Sequence, residues 1–465
     1  IKLSPSLPYF VTTFSIFFII ISPNLFSDGM FMDGVFYAAI SNNLANGFGS
    51  FWDLFLTSTL SPNFKGHPPL AFGIQSIFFR LIGESFYVER IYSLFTFFVS
   101  SLFIAGIWCE INHKKYRKLA WLPLLIWFTI PIVSWSYSNN ILENTMDVFV
   151  CLSVLLYIRG TKKNSLILLL FSGVMLALGV LTKGLVSLFP ISILLWYYIL
   201  FRDKTRKVYF TNSFIYILGI VLPFVIMFLT FPKSYISLKE YVNVQIIGSF
   251  KNVQTKDYRF WIVWRLIQEL LPIIIVVLIF TVFKKRFFYE NYSSWFLIFL
   301  ALGLSAVVPI MISLKQSGFY IVPSLPFIAI SFALLLKKYV FTLTEKFEIT
   351  KMGYKFFYPL SLLFLLLSIF LNFSFANTIQ RDHDLLHDVH KIIAEVPKYS
   401  TISITKNMHK NWSAHGYFQR YGNISLDNKN TTMHTYLLMK KSNTCSLKYE
   451  KVNLDLKLYS LYKKL

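Results

Sequence analysis

Residues 165–201 read SLILLLFSGVMLALGVLTKGLVSLFPISILLWYYILF, and this stretch decides the fold. It holds one charged residue, Lys183, between the apolar runs 165–182 and 184–201. A hydrocarbon core of about 30 Å takes about 20 apolar residues per helix, so two spans joined by a tight turn are predicted. Stretches of similar character lie at 7–22, 90–110, 119–135, 141–158, 212–231, 261–283, 294–314, 319–336 and 355–373. Together they predict an all-α polytopic membrane protein with about eleven transmembrane helices. The first stretch lacks a small-residue cleavage site and reads as a retained span rather than a cleavable signal.

Composition points the same way. Of 465 residues, 14% are charged and 55% hydrophobic, whereas soluble domains carry about 25% charged residues. An ordinary soluble enzyme is excluded. An aromatic content of 18% also excludes a chain too polar to collapse. Cys109, Cys151 and Cys445 have no paired spacing, so neither a disulfide framework nor a zinc ribbon is available. The net charge of +23 would suggest nucleic acid in a soluble protein. In a polytopic one, basic residues collect in cytoplasmic loops and near anionic headgroups. No nucleic-acid motif accompanies the charge, and the expected partner is the bilayer.

Basic clusters lie at His113–Lys118, Arg159–Lys163, Arg202–Lys207, Lys284–Arg286 and Lys337–Lys338. If all are cytoplasmic, the outer segments are 23–89, 136–140, Lys183, 232–260 and Lys315–Phe319. That parity requires Pro69–Ile82, which contains Gln75 and Arg80, to lie along the membrane as a juxtamembrane helix. Residues 1–375 then form the membrane domain. Residues 376–465 are polar and Lys-rich, with an alternating segment at Tyr399–Thr405 and a helix-like Leu385–Val396. They predict a small soluble α/β domain on the same outer side.

Polar residues without an evident solvation role gather in the outer segments. Asp28 and Asp33 sit in SDGMFMDGVFY (27–37), where an aspartate before a helix could simply be an N-cap. His67 precedes Pro68-Pro69-Leu70, a rigid helix entry that explains the prolines and leaves the histidine unexplained. Glu143 opens a span, with Asp147 one turn later on the same face. Ionisable groups inside a span cost roughly 2.5–3.5 kcal/mol on insertion scales and usually mark a site. Lys183 could be a snorkelling lysine beside a capping Gly184, and Tyr320 an interfacial aromatic. Taken together, carboxylates Asp33 and Glu143 and cations Lys183, Arg259, Lys315 and His67 converge on one membrane face. Carboxylates suit proton abstraction from an acceptor, and cations suit a phosphate leaving group in a low-dielectric site.

These motifs resemble the PMT/ArnT-like family of GT-C glycosyltransferases, integral membrane enzymes whose donor is a polyisoprenyl-phosphate sugar. The resemblance rests on Asp33…Tyr37, His67-Pro68-Pro69-Leu70, Gly83-Glu84-Ser85…Arg90 and Asn140-Ile141-Leu142-Glu143. It continues through Leu181-Thr182-Lys183-Gly184 and Lys315…Tyr320-Ile321-Val322-Pro323…Pro326. It covers nearly all of the membrane part, in order, and none of the C-terminal tail. It implies a GT-C fold and a catalytic aspartate at Asp33. Where the family often has Asp-Glu, this chain has Asp33-Gly34, and Glu143, implied as the second catalytic residue, falls where aspartate is common. His67 stands at a position that is lysine in the aminoarabinose branch. Tyr37 and His67 are implied as substrate-binding residues, and Lys183, Arg259, Lys315 and Tyr320 as donor-phosphate-binding residues.

The reaction so implied is an inverting transfer to a glycolipid, protein or polysaccharide at the periplasmic face of a bacterial inner membrane. No cofactor or metal is expected, since no DxD pair for a nucleotide-sugar metal site is evident. The rival reading is a transporter or flippase of lipid-linked saccharides, which predicts charges spread through the bundle midplane. His383, His387 and His390 could present three metal ligands on one helix face. Leu386, Val389 and Ile393 on the opposite face favour an amphipathic helix with a solvated histidine side.

Overall fold

The computed structural model describes residues 6–248, 254–283, 293–349, 351–429, 434–442 and 449–465. The Lys284–Arg286 cluster and Cys445 lie outside them. In chain order, α1 (Leu7–Leu25) is followed by α2 (Met32–Ala45), α3 (Leu70–Ile82) and α4 (Val88–Ile111). Next come α5 (Trp121–Thr129), α6 (Pro131–Tyr137), α7 (Leu142–Lys163), α8 (Leu166–Lys183) and α9 (Ser192–Leu200). The membrane part continues with α10 (Arg206–Thr230), α11 (Pro232–Tyr241), α12 (Trp261–Phe283), α13 (Ser294–Val307), α14 (Leu325–Ile349) and α15 (Lys351–Ser374).

All eleven predicted spans are helical, though not all are straight. Among the described residues, 8 helices are long and apolar enough to cross a membrane. The stretch 119–135 breaks instead into a pair bent by 83°, because Pro131 begins α6 and supplies no backbone N–H to α5. Helix α7 has the length, at 22 residues, but Glu143, Asp147, Arg159 and two lysines dilute its hydropathy. The run 184–201 opens as a 3-10 turn, Leu185–Ile191, around Pro190 before α9 begins. Loop 232–260 is partly helical rather than open, with α11 followed by a π turn over Val242–Ile247.

Helix α3 has 13 residues, about 20 Å at 1.5 Å per residue, and is too short to span. It buries Phe72, Gln75 and Phe79 while Ile77, Leu81 and Ile82 are exposed, as suits a helix lying at an apolar surface. The described basic clusters gather at the helix ends away from α2 and α3. There Arg159 pairs with Glu110 at 2.6 Å and Lys337 Nζ donates to Asn112 Oδ1 at 3.1 Å.

The tail carries α16 (His383–Glu395), α17 (Trp412–Gly422) and strands β1 (Thr401–Ile404), β2 (Ser425–Asp427), β3 (Tyr436–Lys440), β4 (Tyr449–Lys451) and β5 (Tyr459–Lys464). The sheet runs β2-β1-β3-β5-β4. β1 is parallel to β2 and β3, and β5 is antiparallel to β3 and β4. Met30 and Val35, from the first outer loop and α2, belong to the same core as Leu386, Phe418 and Leu438.

Polar contacts join the tail to that loop. Asp28 is no N-cap. Its carboxylate accepts from Gly29 N at 2.7 Å and Tyr421 Oη at 2.6 Å, and meets His390 Nε2 at 2.7 Å. These partners hold it below the ordinary carboxylate range despite burial. His390 therefore faces the loop rather than solvent alone, a correction to the solvated-face reading. His387 lies beside Asp388 and His383 beside Asp384. Among the described residues no group of three or more His, Cys, Asp or Glu could hold a metal ion.

Arg420 and Glu89 form a buried pair at 2.9 Å, 1% and 4% exposed. Arg420 also donates to the carbonyls of Glu84 and Ser85. Arg420→Ala would leave Glu89 buried and uncompensated, an expected loss of about 3 kcal/mol. Thermal unfolding and limited proteolysis of the membrane-embedded protein check this, with the tail released first.

Candidate functional site

The turn after α8 sets the centre of the site. Gly184 has φ +96°, and a Cβ there would sit 1.8 Å from Tyr241 Oη, so only glycine permits this approach. Tyr241 in turn donates to the Lys183 carbonyl at 3.2 Å. With its backbone held, Lys183 sends its ammonium inward to Glu143 Oε1 at 3.0 Å. Lys183 and Glu143 are 7% and 2% exposed. This contact decides against the snorkelling account of Lys183, because a snorkelling lysine keeps its charge in water. The ammonium also lies 5.8 Å from the ring centroids of Tyr37 and Phe319, and 5.9 Å from that of Tyr320.

A cavity of about 280 Å³ opens here, with Lys183, Glu143, His67, Lys315 and Tyr320 among its polar lining. Tyr37 Oη meets His67 Nε2 at 3.2 Å, and Lys315 Nζ donates to Gln245 Oε1 at 2.8 Å. Burial, helped by Lys183 and Lys315, pushes the His67 imidazolium well below its usual range, so the ring is neutral. Burial and then Lys183 also lower Lys315. The remaining wall is mostly apolar, with Tyr241, Gln245 and Ser313 as its other polar members. Leu185, Val186 and Ile312 line it and are exposed, which opens the cavity toward the hydrocarbon side of the helices.

Asp33 lies in the first turn of α2 and makes no side-chain cap, so the capping account fails for it too. Burial raises its carboxyl pKa, opposed by Lys183 and then Lys315. It is thus electrostatically coupled to two residues that line the cavity. The following Gly34 has a steric reason. A Cβ there would lie 2.0 Å from the Asn139 carbonyl oxygen, so the second carboxylate of an Asp-Glu pair has no room. The second acid of this cluster is Glu143, from α7.

The segment before α7 fixes α2. Asn139 Oδ1 accepts from Phe31 N at 2.8 Å, and Asn140, at φ +49°, donates to the Gly34 carbonyl at 3.1 Å. Gln75 of α3 donates to Asn140 Oδ1 at 2.7 Å. Arg90 donates to the carbonyls of Ser138 and Gly29.

The structure therefore brings together Asp33, Tyr37, His67, Glu143, Lys183, Lys315 and Tyr320. It does not bring Arg259, which is exposed and does not line the cavity. Its carbonyl accepts from Gln316 Nε2. Asp147 is fully buried below Glu143, and neither of its oxygens has a hydrogen-bond partner among the described residues. Sequence reasoning missed Tyr241 and Gln245, whose segment YVNVQ carried only the ambiguous signal of a polar stretch. It also missed Glu269, a carboxylate 4% exposed within α12.

Residues 66–231 match the family described as dolichyl-phosphate-mannose-protein mannosyltransferase. No curated protein matches the sequence. Among solved structures, ArnT from Cupriavidus metallidurans bound to undecaprenyl phosphate superposes with a TM-score of 0.64 at 12% identity, covering 98% of this chain and 97% of that one. Its apo state gives 0.64 at 13% identity, with 97% and 96% covered. The oligosaccharyltransferase AglB from Archaeoglobus fulgidus, in complex with an inhibitory peptide and a dolichol-phosphate, gives 0.51 at 10% identity, covering 94% and 69%. The chain therefore has the GT-C membrane fold seen in ArnT, and its residues 66–231 are similar to the mannosyltransferase family.

Proposed function

We propose that the protein transfers a sugar from a polyisoprenyl-phosphate donor to an acceptor on the membrane face that carries the tail. The observation that carries this reading is the buried Lys183–Glu143 pair, 3.0 Å apart in a cavity that opens through apolar residues, with the Asp33 carboxyl under the electrostatic influence of Lys183 and Lys315. The donor phosphate lies against Lys183, Lys315 and Tyr320, and its isoprenoid leaves past Leu185, Val186 and Ile312 toward the bilayer. Asp33 takes the proton from an acceptor hydroxyl as that oxygen bonds to the anomeric carbon. The bond from that carbon to the phosphate oxygen breaks, and its electron pair remains on the phosphate. The anomeric configuration inverts.

A neutral His67 beside Tyr37 orients the sugar by hydrogen bonding and adds no charge. Lys183 and Lys315 stabilise the developing phosphate charge where little water screens it. Glu143 holds the Lys183 ammonium until the phosphate arrives. By the positive-inside rule this face is extracytoplasmic, the periplasmic side of a bacterial inner membrane. The transporter reading expects charge through the bundle midplane, whereas the cluster Asp33–Glu143–Lys183–Lys315 sits at helix ends.

ArnT and AglB were each solved with a polyprenyl-type phosphate bound, which supports the same donor class here. Calorimetric titration of the purified protein with decaprenyl phosphate tests the site. Saturable binding, weakened at least tenfold by Lys183→Met, is expected. Equal affinity of wild type and variant would remove Lys183 from the donor site.

A further inference from the structure

Helix α17 of the tail lies against the start of α2, the turn that carries Asp33. Two glycines show how close the approach is. Gly29 has φ +91°, and a Cβ there would lie 2.4 Å from the Arg381 carbonyl oxygen. Gly416 of α17 faces α2, and a Cβ there would lie 3.0 Å from Val35 Cγ1. Asp28 pairs with the tail as a single parallel bridge to Ile379. Its N–H donates to the Thr378 carbonyl at 2.8 Å, and its carbonyl accepts from Gln380 N at 3.2 Å.

Tyr417, fully buried in the middle of α17, takes hold two residues further on. Its hydroxyl oxygen accepts from Met30 N at 2.9 Å. Its own proton reaches the Met30 carbonyl at 2.9 Å or Asp382 Oδ2 at 3.0 Å. The first N–H groups of a helix have no partner within it, and Phe31 at the N-cap position of α2 supplies no side-chain cap. The start of α2 is therefore held from two sides. The membrane part holds Phe31 N through Asn139 Oδ1, and the tail holds Met30, three residues before Asp33, through Tyr417.

We propose that the tail positions the catalytic carboxylate, with Tyr417 as the positioning residue for Asp33, an inference that rests on Asp33 being the base. A misplacement of about 1 Å can cost on the order of 10²-fold in rate, so the backbone just before a base has to be fixed. Lys183 and Lys315 belong to other elements, and the donor phosphate is bound without help from α17. The tail thus acts on the chemical step while touching neither donor nor reacting atoms. Docking and positioning can be separated. Removing one oxygen from Tyr417 leaves its ring in the tail core and leaves the Arg420–Glu89 pair, which fastens α17 to α4, intact.

The test compares wild type, Tyr417→Phe and Asp33→Asn in vesicles, with radiolabelled polyprenyl-phosphate sugars as donor and a membrane extract as acceptor source. Tyr417→Phe is expected to lower the rate at saturating donor by about tenfold or more. Donor KM and decaprenyl phosphate affinity should stay at their wild-type values, a split that general loosening of the fold would not give. Hydrogen exchange reads the same link without turnover. Amides of residues 30–35 should exchange faster in Tyr417→Phe, and those of the Lys183 turn at the wild-type rate. A wild-type transfer rate in Tyr417→Phe overturns the proposal, as does a parallel loss of decaprenyl phosphate affinity or unchanged exchange over 30–35. Should Tyr417→Phe fail to fold, Tyr421→Phe takes its place, since it removes one of the partners of Asp28 on the same face. It must then show a lowered rate at unchanged donor affinity, and a wild-type rate overturns the proposal. Wild-type turnover in Asp33→Asn would instead sink the base reading, and with it the catalytic role of the tail, even where exchange still shows Tyr417 holding α2.

Discussion

Replacing Asp33 with asparagine is expected to lower the transfer rate by a factor on the order of 10³, within the range that positioned bases contribute, while the protein still folds and inserts. The substitution keeps the shape of the side chain and removes its capacity to take a proton. Asp33 forms no side-chain cap whose loss would loosen α2. Burial raises its pKa above the ordinary 3.8, so the folded state disfavours the carboxylate. The stability linked to that raised pKa is present below 3.8 and is lost as pH rises through the folded value. At neutral pH, Asp33→Asn should therefore leave thermal stability unchanged or slightly raised. The same shift sets the pH profile. Transfer should fall as pH drops through the raised pKa, giving an acid limb above the usual carboxylate range, measurable as kcat/KM against pH with a pre-formed donor complex. Retained wild-type turnover in Asp33→Asn would remove it from the base role.

The second large effect concerns Lys183 and Glu143. Removing one partner of a buried pair leaves an uncompensated charge and costs about 3–5 kcal/mol. Lys183→Met should therefore destabilise the protein by roughly that amount and also abolish donor use. The paired variant Lys183→Met/Glu143→Gln should recover most of the stability, because no lone charge remains, yet recover no transfer. A double-mutant cycle read by thermal unfolding and by transfer rate separates the two consequences. Additive losses of stability would show that the two side chains do not act as a pair.

The parts of the site legible in the sequence were those where a charge interrupts apolar residues. Lys183, Glu143 and Lys315 stand out because a bilayer makes their burial costly, and His67 because the Pro68-Pro69 entry does not account for it. Asp33 was legible only through its motif, since its local sequence fits a cap equally well. What stayed hidden depends on contacts far apart in the chain. Tyr241 and Gln245 reach the cavity because residues 232–247 fold back as helix over Gly184. Asp28 looked like a cap because its partners His390 and Tyr421 lie more than 360 residues away. Arg259 carried a plausible charge, but the chain places Arg265 and Glu269 of the next helix against α6 instead. The spans were legible by length and hydropathy, whereas the bend at Pro131 needed the packing of α6 against its neighbours to show its size.

The central claim is tested most directly by reconstituting wild type and Asp33→Asn in vesicles and supplying radiolabelled polyprenyl-phosphate sugars with a membrane extract as acceptor source. The account predicts that label leaves the donor and enters an acceptor with wild type only, and that donor in the Asp33→Asn vesicles stays intact. Label that crosses the bilayer still attached to its polyprenyl phosphate, equally with both proteins, would contradict it and identify a transporter.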